Sequence, residues 1–366
     1  MKFIKIIFMV SGIMIFAFNS NIVAQKLKIA IIGLSHSHVH GLLGRQEKGD
    51  IEIIAIVESN KELAQRFAND YKFSMNLLYK NMHEMLVNIK PEAVVAFNSI
   101  YDHLEVVKTF APLGIHVMVE KPLAANLQHA IEMKKLAQKY NIHLLTNYET
   151  TWYQTNHEAF SIIESGNIGE IRKIVAHDGH KGPSEIGVNK EFLDWLTDPI
   201  LNGGGAITDF GCYGANLITW LTKGERPESV VAVTQTIKPE LYPNVEDEAT
   251  IILKYPKMQG IIQASWNWPI SRKDIEIYGK EGYVVCDNST DLRFRLNEND
   301  TEHHQKLVAR NSPYNDPFAF FAAIIKKEIT MPEYDLSSLE NNMIVMEIIE
   351  AAKESAKTGK EIKLKK

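Results

Sequence analysis

Short apolar runs alternating with stretches of helical periodicity constrain the first half of this chain more than any other feature does. Lys26-Leu27-Lys28-Ile29-Ala30-Ile31-Ile32-Gly33 is an apolar run closed by glycine, and Ile51 to Val57 is a second that ends at Glu58. A strand buried on both faces reads in this way. Between the two, Val39 to Lys48 has helical character, which gives a β-α-β unit. Further strands are expected at Ala93 to Phe97, His116 to Val119 and His143 to Thr146. Helices are expected at Lys61 to Asn69, Asn81 to Ile89, Leu104 to Leu113 and Asn126 to Tyr140. Such alternation predicts a doubly wound parallel sheet that holds ligands at the carboxyl ends of its strands.

Ahead of this unit, Lys2 and Lys5 introduce an apolar run from Ile6 to Phe18, and a short polar stretch then leads to Val23-Ala24. That pattern reads as a secretory signal with cleavage after Ala24. Thirteen apolar residues are short for a bilayer span, so a retained anchor is the weaker reading. No cysteine near Ala24 could carry a lipid, and no Arg-Arg pair precedes the run, so export of an unfolded chain to the periplasm is the expectation. The formal charge of −5 becomes −7 without the two leader lysines, 38 basic against 45 acidic residues. An acidic chain with no basic block argues against a nucleic-acid partner. Cys212 and Cys286 are the only cysteines and are expected as separate thiols.

The first turn reads Gly33-Leu34-Ser35-His36-Ser37-His38, so one glycine of a Gly-x-Gly-x-x-Gly dinucleotide fingerprint survives. Glu58 supports cofactor binding in its place. A carboxylate at the end of the second strand can accept hydrogen bonds from ribose hydroxyls and would repel the extra phosphate of NADP. His36, His38 and His40 straddle a turn and a helix start, where three rings are not expected to converge on a metal. Phosphate contacts or local capping are the expected roles, and no metal site is expected. Glu120-Lys121-Pro122 follows the strand His116 to Val119 and aims a lysine from the sheet edge, because proline restricts the residue before it. Such a lysine can stabilise a developing alkoxide and lower the pKa of a neighbouring hydroxyl.

The second half is rich in β-branched runs, Glu170 to His177, Ser229 to Ile237, Ala249 to Tyr255, Gly260 to Trp266 and Asp274 to Tyr278, and predicts a largely antiparallel open sheet in an α+β domain. Within it lies Asn202-Gly203-Gly204-Gly205-Ala206-Ile207-Thr208-Asp209-Phe210-Gly211-Cys212-Tyr213. Asp209 and Tyr213 are four apart and are expected on one helical face. His180, on the strand-to-loop exit His177-Asp178-Gly179-His180, is a candidate for substrate contact or auxiliary proton transfer. Trp152, Tyr153, Trp195, Trp266 and Trp268 are candidates for stacking on sugar faces or for core packing.

Glu120-Lys121-Pro122 together with the glycine triplet and Asp209-x-Gly211-x-Tyr213 resembles the glucose-fructose oxidoreductase / inositol dehydrogenase (Gfo/Idh/MocA) family. The similarity extends to His103 after Ala96 to Ser99, to Glu246-Asp247-Glu248-Ala249-Thr250 and to Tyr278-Gly279-Lys280-Glu281-Gly282. It implies a Rossmann domain over 25–147 and a substrate-binding and oligomerisation domain over 148–366, as a homodimer or homotetramer. It also implies NAD held by Gly33, Ser35, His36, His38, Glu58, Asn98, Ser99, His103, Glu120, Lys121 and Pro122. The implied catalytic set is Lys121, Asp209, Tyr213 and His180, with Tyr213 moving the hydroxyl proton of a sugar or polyol, Lys121 stabilising the oxyanion and tuning the phenol, and Asp209 orienting substrate or Lys121. Many members carry histidine where this chain has Tyr213. The first turn lacks two glycines, and Glu149 stands where many relatives have arginine. Two other activities stay open on sequence grounds. One is redox-neutral glycoside cleavage by transient oxidation, and the other is non-catalytic sugar binding.

Overall fold

A computed structural model describes residues 25–364, so the leader and its cleavage point lie outside the described residues. Six strands form a parallel sheet: β1 (Leu27–Ile32), β2 (Ile51–Val57), β3 (Leu78–Tyr79), β4 (Ala93–Ala96), β5 (His116–Glu120) and β6 (Leu144–Asn147). Their order, 3-2-1-4-5-6, reverses direction between β1 and β4, and the reversal opens a crevice at the carboxyl ends of those strands. β1, β4 and β5 are almost wholly buried, which is why they read as continuous apolar runs rather than alternating ones. The helix after β1 is shorter than expected, Val39–Leu43, and Gly44 caps it.

Nine strands form the second sheet: β7 (Ile171–Gly179), β8 (Ser229–Gln235), β9 (Glu248–Lys254), β10 (Gln259–Ser265), β11 (Arg272–Gly279), β12 (Tyr283–Cys286), β13 (Asp291–Arg295), β14 (His303–Lys306) and β15 (Ile362–Lys363). Their order is 14-13-12-11-7-10-9-8-15, and every pair is antiparallel except β7 with β10. The helices Gly211–Leu221 and Leu339–Thr358 cover one face. The register puts Ile174, Ala176 and Asp178 of β7 opposite Ile277, Ile275 and Lys273 of β11 on that covered face, because side chains alternate along a strand.

Two late helices return to the first domain. Phe318, Phe320 and Phe321 of Pro317–Ile325 pack in the core beside Ile29, Leu42 and Phe67. Leu339, Met343 and Met346 enter the core on the other side of the parallel sheet. The expected partition at 147/148 is therefore crossed twice in space, although the chain changes sheet there.

Candidate active site

Lys121 stands at the end of β5 with its side chain almost fully buried. Its ammonium pairs with the Asp209 carboxylate and donates to the Asp209 carbonyl at 3.1 Å. Burial alone would lower the Lys121 pKa, but the Asp209 charge beside it overcomes burial and raises it. The converse holds for Asp209: burial would raise its carboxyl, and Lys121 holds it below the usual range. The outer carboxylate oxygen of Asp209 accepts from Trp266 Nε1 at 2.9 Å, so both oxygens are fixed.

Asp209 and Tyr213 do not share one helix. The chain breaks at Phe210 (φ −108°) between Ala206–Asp209 and Gly211–Leu221. Both side chains still reach Lys121, whose ammonium lies 5.1 Å from the Tyr213 ring centre. The expected lowering of the Tyr213 pKa is also overturned. Burial, followed by the negative charge of Glu149, pushes the phenol well above its ordinary value. The Lys121 charge is already balanced by Asp209, so Tyr213 is a phenol at rest.

His180 shares a cavity of about 190 Å³ with Lys121, Asp209, Tyr213, His36 and His38. Its Nδ1 accepts from Gly182 N–H at 2.9 Å and burial lowers its pKa, so the ring is neutral with its proton on Nε2. A second lysine, Lys273, lies 4.7 Å from the Tyr213 ring centre and pairs with Glu149, which in turn accepts from Tyr153 Oη at 2.6 Å. Lys273 carried no signal in sequence because it reaches the site only through the β7–β11 register. Glu149 had one, its departure from the family's arginine.

The histidines of the first turn separate. His40 turns away onto Phe67 and bonds Tyr71 Oη at 2.6 Å. His38 and His36 instead meet Glu120, with ligand atoms of all three within 4.8 Å, a carboxylate that local sequence did not bring near them. His36 Nδ1 accepts from His38 N–H at 3.1 Å, and His38 Nδ1–H donates to Glu120 at 2.7 Å. Trp152 donates to Asn147 at 3.1 Å and Asn147 to Glu120 at 2.8 Å, so Glu120 is a fully buried orienting group for His38 rather than a cleft-lining one. His103 is equally buried, bonding the Leu123 carbonyl at 3.1 Å and holding the loop after Lys121-Pro122. Pro122 forms a cis bond with Lys121 behind the cavity.

At the switch point lies a cleft of about 550 Å³ whose walls include Gly33, Ser35, Glu58, Asn98 and Ser99. Gly33 has φ +80°, and a Cβ there would sit 2.8 Å from the Asn98 backbone nitrogen, so only glycine lets these segments meet. Glu58 accepts from Leu34 N–H at 2.9 Å and Asn60 N–H at 2.7 Å, and burial raises its pKa. Ser35 receives Trp195 Nε1 at 3.0 Å, and His36 packs on Phe192, so the helix Lys190–Leu196 of the second domain closes the turn from above.

Residues 27–148 match the model of the oxidoreductase family with an NAD-binding Rossmann fold, and residues 157–285 match the GFO/IDH/MocA C-terminal domain. The chain belongs to the GFO/IDH/MocA family. Trans-1,2-dihydrobenzene-1,2-diol dehydrogenase of Xenopus tropicalis is 28% identical over 222 residues, 59% of this chain and 61% of the relative, so the match leaves over a third of that relative's length uncovered. D-xylose 1-dehydrogenase [NADP(+)] of Haloarcula marismortui is 24% identical over 71% of this chain and 72% of its own. Among solved structures, aldose-aldose oxidoreductase from Caulobacter crescentus, complexed with glycerol, superposes with TM-score 0.78 at 22% identity, covering 93% of this chain and all of that one. An inositol dehydrogenase homolog complexed with NAD+ from Azotobacter vinelandii gives 0.80 at 17%, covering 93% and 98%. As in the family's fold, the dinucleotide cleft and the Lys121 cavity lie at the carboxyl edge of the parallel sheet, and the cleft fits NAD in its tight Gly33–Asn98 approach and in Glu58 at the ribose position.

Proposed function

We propose that the protein is an NAD-dependent oxidoreductase acting on a secondary alcohol of a sugar or sugar-like polyol. The observation that carries this reading is the convergence of Lys121, Asp209, Tyr213 and His180 on one small cavity beside the dinucleotide cleft. Bound NAD supplies the hydride chemistry. Gly33, Ser35, Glu58, Asn98 and Ser99 would hold its adenosine and pyrophosphate portions, and Lys121 and the oriented His38 would face the reacting end. The Lys121 ammonium stabilises negative charge on the substrate oxygen, Asp209 and Trp266 fix that ammonium, and Tyr213 donates or receives the hydroxyl proton. Neutral His180 donates a hydrogen bond from Nε2 to a neighbouring hydroxyl. The cleft wall includes Asp102, Glu105, Glu191 and Asp194 besides Glu58, with Lys80 its one basic side chain among the described residues, which favours NAD over a cofactor bearing another phosphate.

The names of the relatives, diol, xylose, aldose and inositol enzymes, support polyhydroxylated substrates. The leader pattern supports an exported, periplasmic protein, and Val231 and Val233, exposed on the uncovered face of the second sheet, support a homo-oligomer. The test is to offer the 25-onward protein NAD and a panel of aldoses, inositols and glycosides while following NADH absorbance. Slow NADH formation with one or more polyols is the expected result. Glycoside cleavage with no NADH, or no thermal shift with NAD, would overturn this reading in favour of redox-neutral cleavage or simple binding respectively.

A further inference from the structure

The Asp178 carboxyl is 1% exposed, and neither of its oxygens has a hydrogen-bond partner. A buried carboxyl without partners is costly and is retained where something else requires it. Its placement is set by register. Asp178 lies directly opposite Lys273 on the covered face of the β7–β11 pair, where facing Cβ atoms are about 5 Å apart. Lys273 nevertheless turns its ammonium to Glu149, on the turn Glu149–Trp152, and lies against the Tyr213 ring. The same lysine thus has two carboxyl groups within its sweep and the Tyr213 ring against it. Glu149, Tyr153, Gly179, His180 and Lys273 also line a cleft of about 550 Å³ that opens to solvent next to this group.

We propose that Lys273 and Asp178 form a proton relay that connects Tyr213 to this solvent cleft. The proposal rests on Tyr213 being the group that exchanges a proton with substrate. In the reduction direction, with hydride supplied by bound cofactor, the phenol O–H bond breaks and its proton forms the new hydroxyl on the substrate oxygen. Lys273 then gives one N–H proton to the phenolate and takes the Asp178 proton in return, which leaves a carboxylate beside an ammonium. Asp178 regains its proton from the cleft through Lys273, which lines it, and Lys273 goes back to Glu149. Oxidation runs the same transfers backward: the ionised Asp178 finally accepts the proton that the alcohol loses.

Several charged groups bear on Asp178: Lys273, Asp274 and Arg272 from β11, Glu149 and Tyr153 from the neighbouring turn, Lys121 from β5, and Cys212 from the helix Gly211–Leu221. Burial dominates and raises the carboxyl well above its ordinary range, so the proton is present at rest. Oxidation requires the ionised form, and its kcat/KM should therefore rise with pH along an acid limb set by Asp178.

The experiment is a pH profile of kcat/KM for polyol oxidation in the NAD-loaded wild type and in Asp178→Asn, Glu149→Gln, Lys273→Met and Tyr213→Phe, with NAD binding and thermal melting measured on each. Asp178→Asn is expected to remove the acid limb and to lower the plateau by about 10-fold or more. Glu149→Gln releases Lys273 toward Asp178 and is expected to move the limb to lower pH. Lys273→Met breaks the relay and is expected, like Asp178→Asn, to remove the limb and lower the plateau. A shift in Glu149→Gln together with loss of the limb in the other two variants is something a merely structural role would not give. A limb that stays at its wild-type position in Glu149→Gln, or that survives in Lys273→Met or Asp178→Asn, overturns the relay. Tyr213→Phe separates the two readings: if it is inactive while the Asp178→Asn profile is unchanged, the relay fails and the role of Tyr213 stands. Full activity in Tyr213→Phe refutes both.

Discussion

Tyr213 has two lysines near its ring, yet burial leaves it a neutral phenol, because each lysine is already balanced by a carboxylate, Lys121 by Asp209 and Lys273 by Glu149. The charge pairs therefore act at the substrate oxygen and on proton supply rather than by ionising the tyrosine in advance. Lys121→Met and Tyr213→Phe are each expected to lower kcat roughly 100-fold, the usual scale for losing oxyanion or acid-base help, while NAD still binds to Tyr213→Phe in calorimetry. Glu58→Ala should narrow the preference for NAD over NADP, read as a ratio of kcat/KM values; an unchanged ratio would remove Glu58 from cofactor selection. Lys121, Asp209, Tyr213 and His180 were legible because they lie in short motifs on strand and helix ends. Asp178 and Lys273 were not, because each reaches the site from a strand whose neighbours are set by sheet register, and Trp266 was singled out for stacking or core packing rather than for its bond to Asp209. Glu120 was legible as a motif and misread in role: its partner His38 is 82 residues away, and only the fold shows that the carboxylate faces a ring rather than the cleft.

The helix break at Phe210 shows how an element can differ from its pattern while keeping its purpose. Glu246 accepts from the backbone N–H groups of Gly205 at 2.8 Å and Ile207 at 3.1 Å, and its carbonyl accepts from Ala206 at 2.9 Å, so the short helix bearing Asp209 is clamped at its start. A Cβ on Gly205 would fall 1.9 Å from the Glu246 carbonyl oxygen. Gly205→Ala must therefore shift this helix and with it Asp209; a lowered Tm together with a lowered kcat is expected, and unchanged values of both would show that the clamp is slack. Five of the six parallel strands were legible to within a residue or two because buried strands are continuous apolar runs; the two-residue, half-buried β3 was missed. β12 to β15 were not legible: Tyr283–Cys286 is apolar but only four residues long, and the exposed edge strand His303–Lys306 carries no apolar signal at all.

At the scale of the whole molecule, the carboxyl-terminal third ties the domains together by returning to the first. Asp316 caps the helix Pro317–Ile325 and binds Arg45 at 2.8 Å and Lys48 at 2.8 Å, joining that helix to the segment after the first turn. Burial alone would raise the Asp316 carboxyl, but the hydrogen bonds from Arg45 and Lys48 hold it below the usual carboxylate range. A depressed folded-state pKa contributes stability above the unfolded carboxylate value, and that stability is lost as pH falls through the folded one. Asp316→Ala should cost on the order of 3 kcal/mol near neutral pH, and the difference from wild type should shrink in acid melts. This return was invisible in sequence, where the strongly apolar Phe318 to Ile325 run gives no sign of which sheet it covers.

The central claim is that one cavity moves a hydride and a proton from a polyol to bound NAD and Tyr213, and rapid mixing tests it most directly. NAD-loaded wild type and Tyr213→Phe would each be mixed with a polyol that the panel identifies, and the NADH band followed through the first turnover. The account predicts NADH in the wild type and a roughly 100-fold slower appearance in Tyr213→Phe at equal NAD occupancy. Equal rates in the two proteins, or no NADH from the wild type with any polyol, would contradict it.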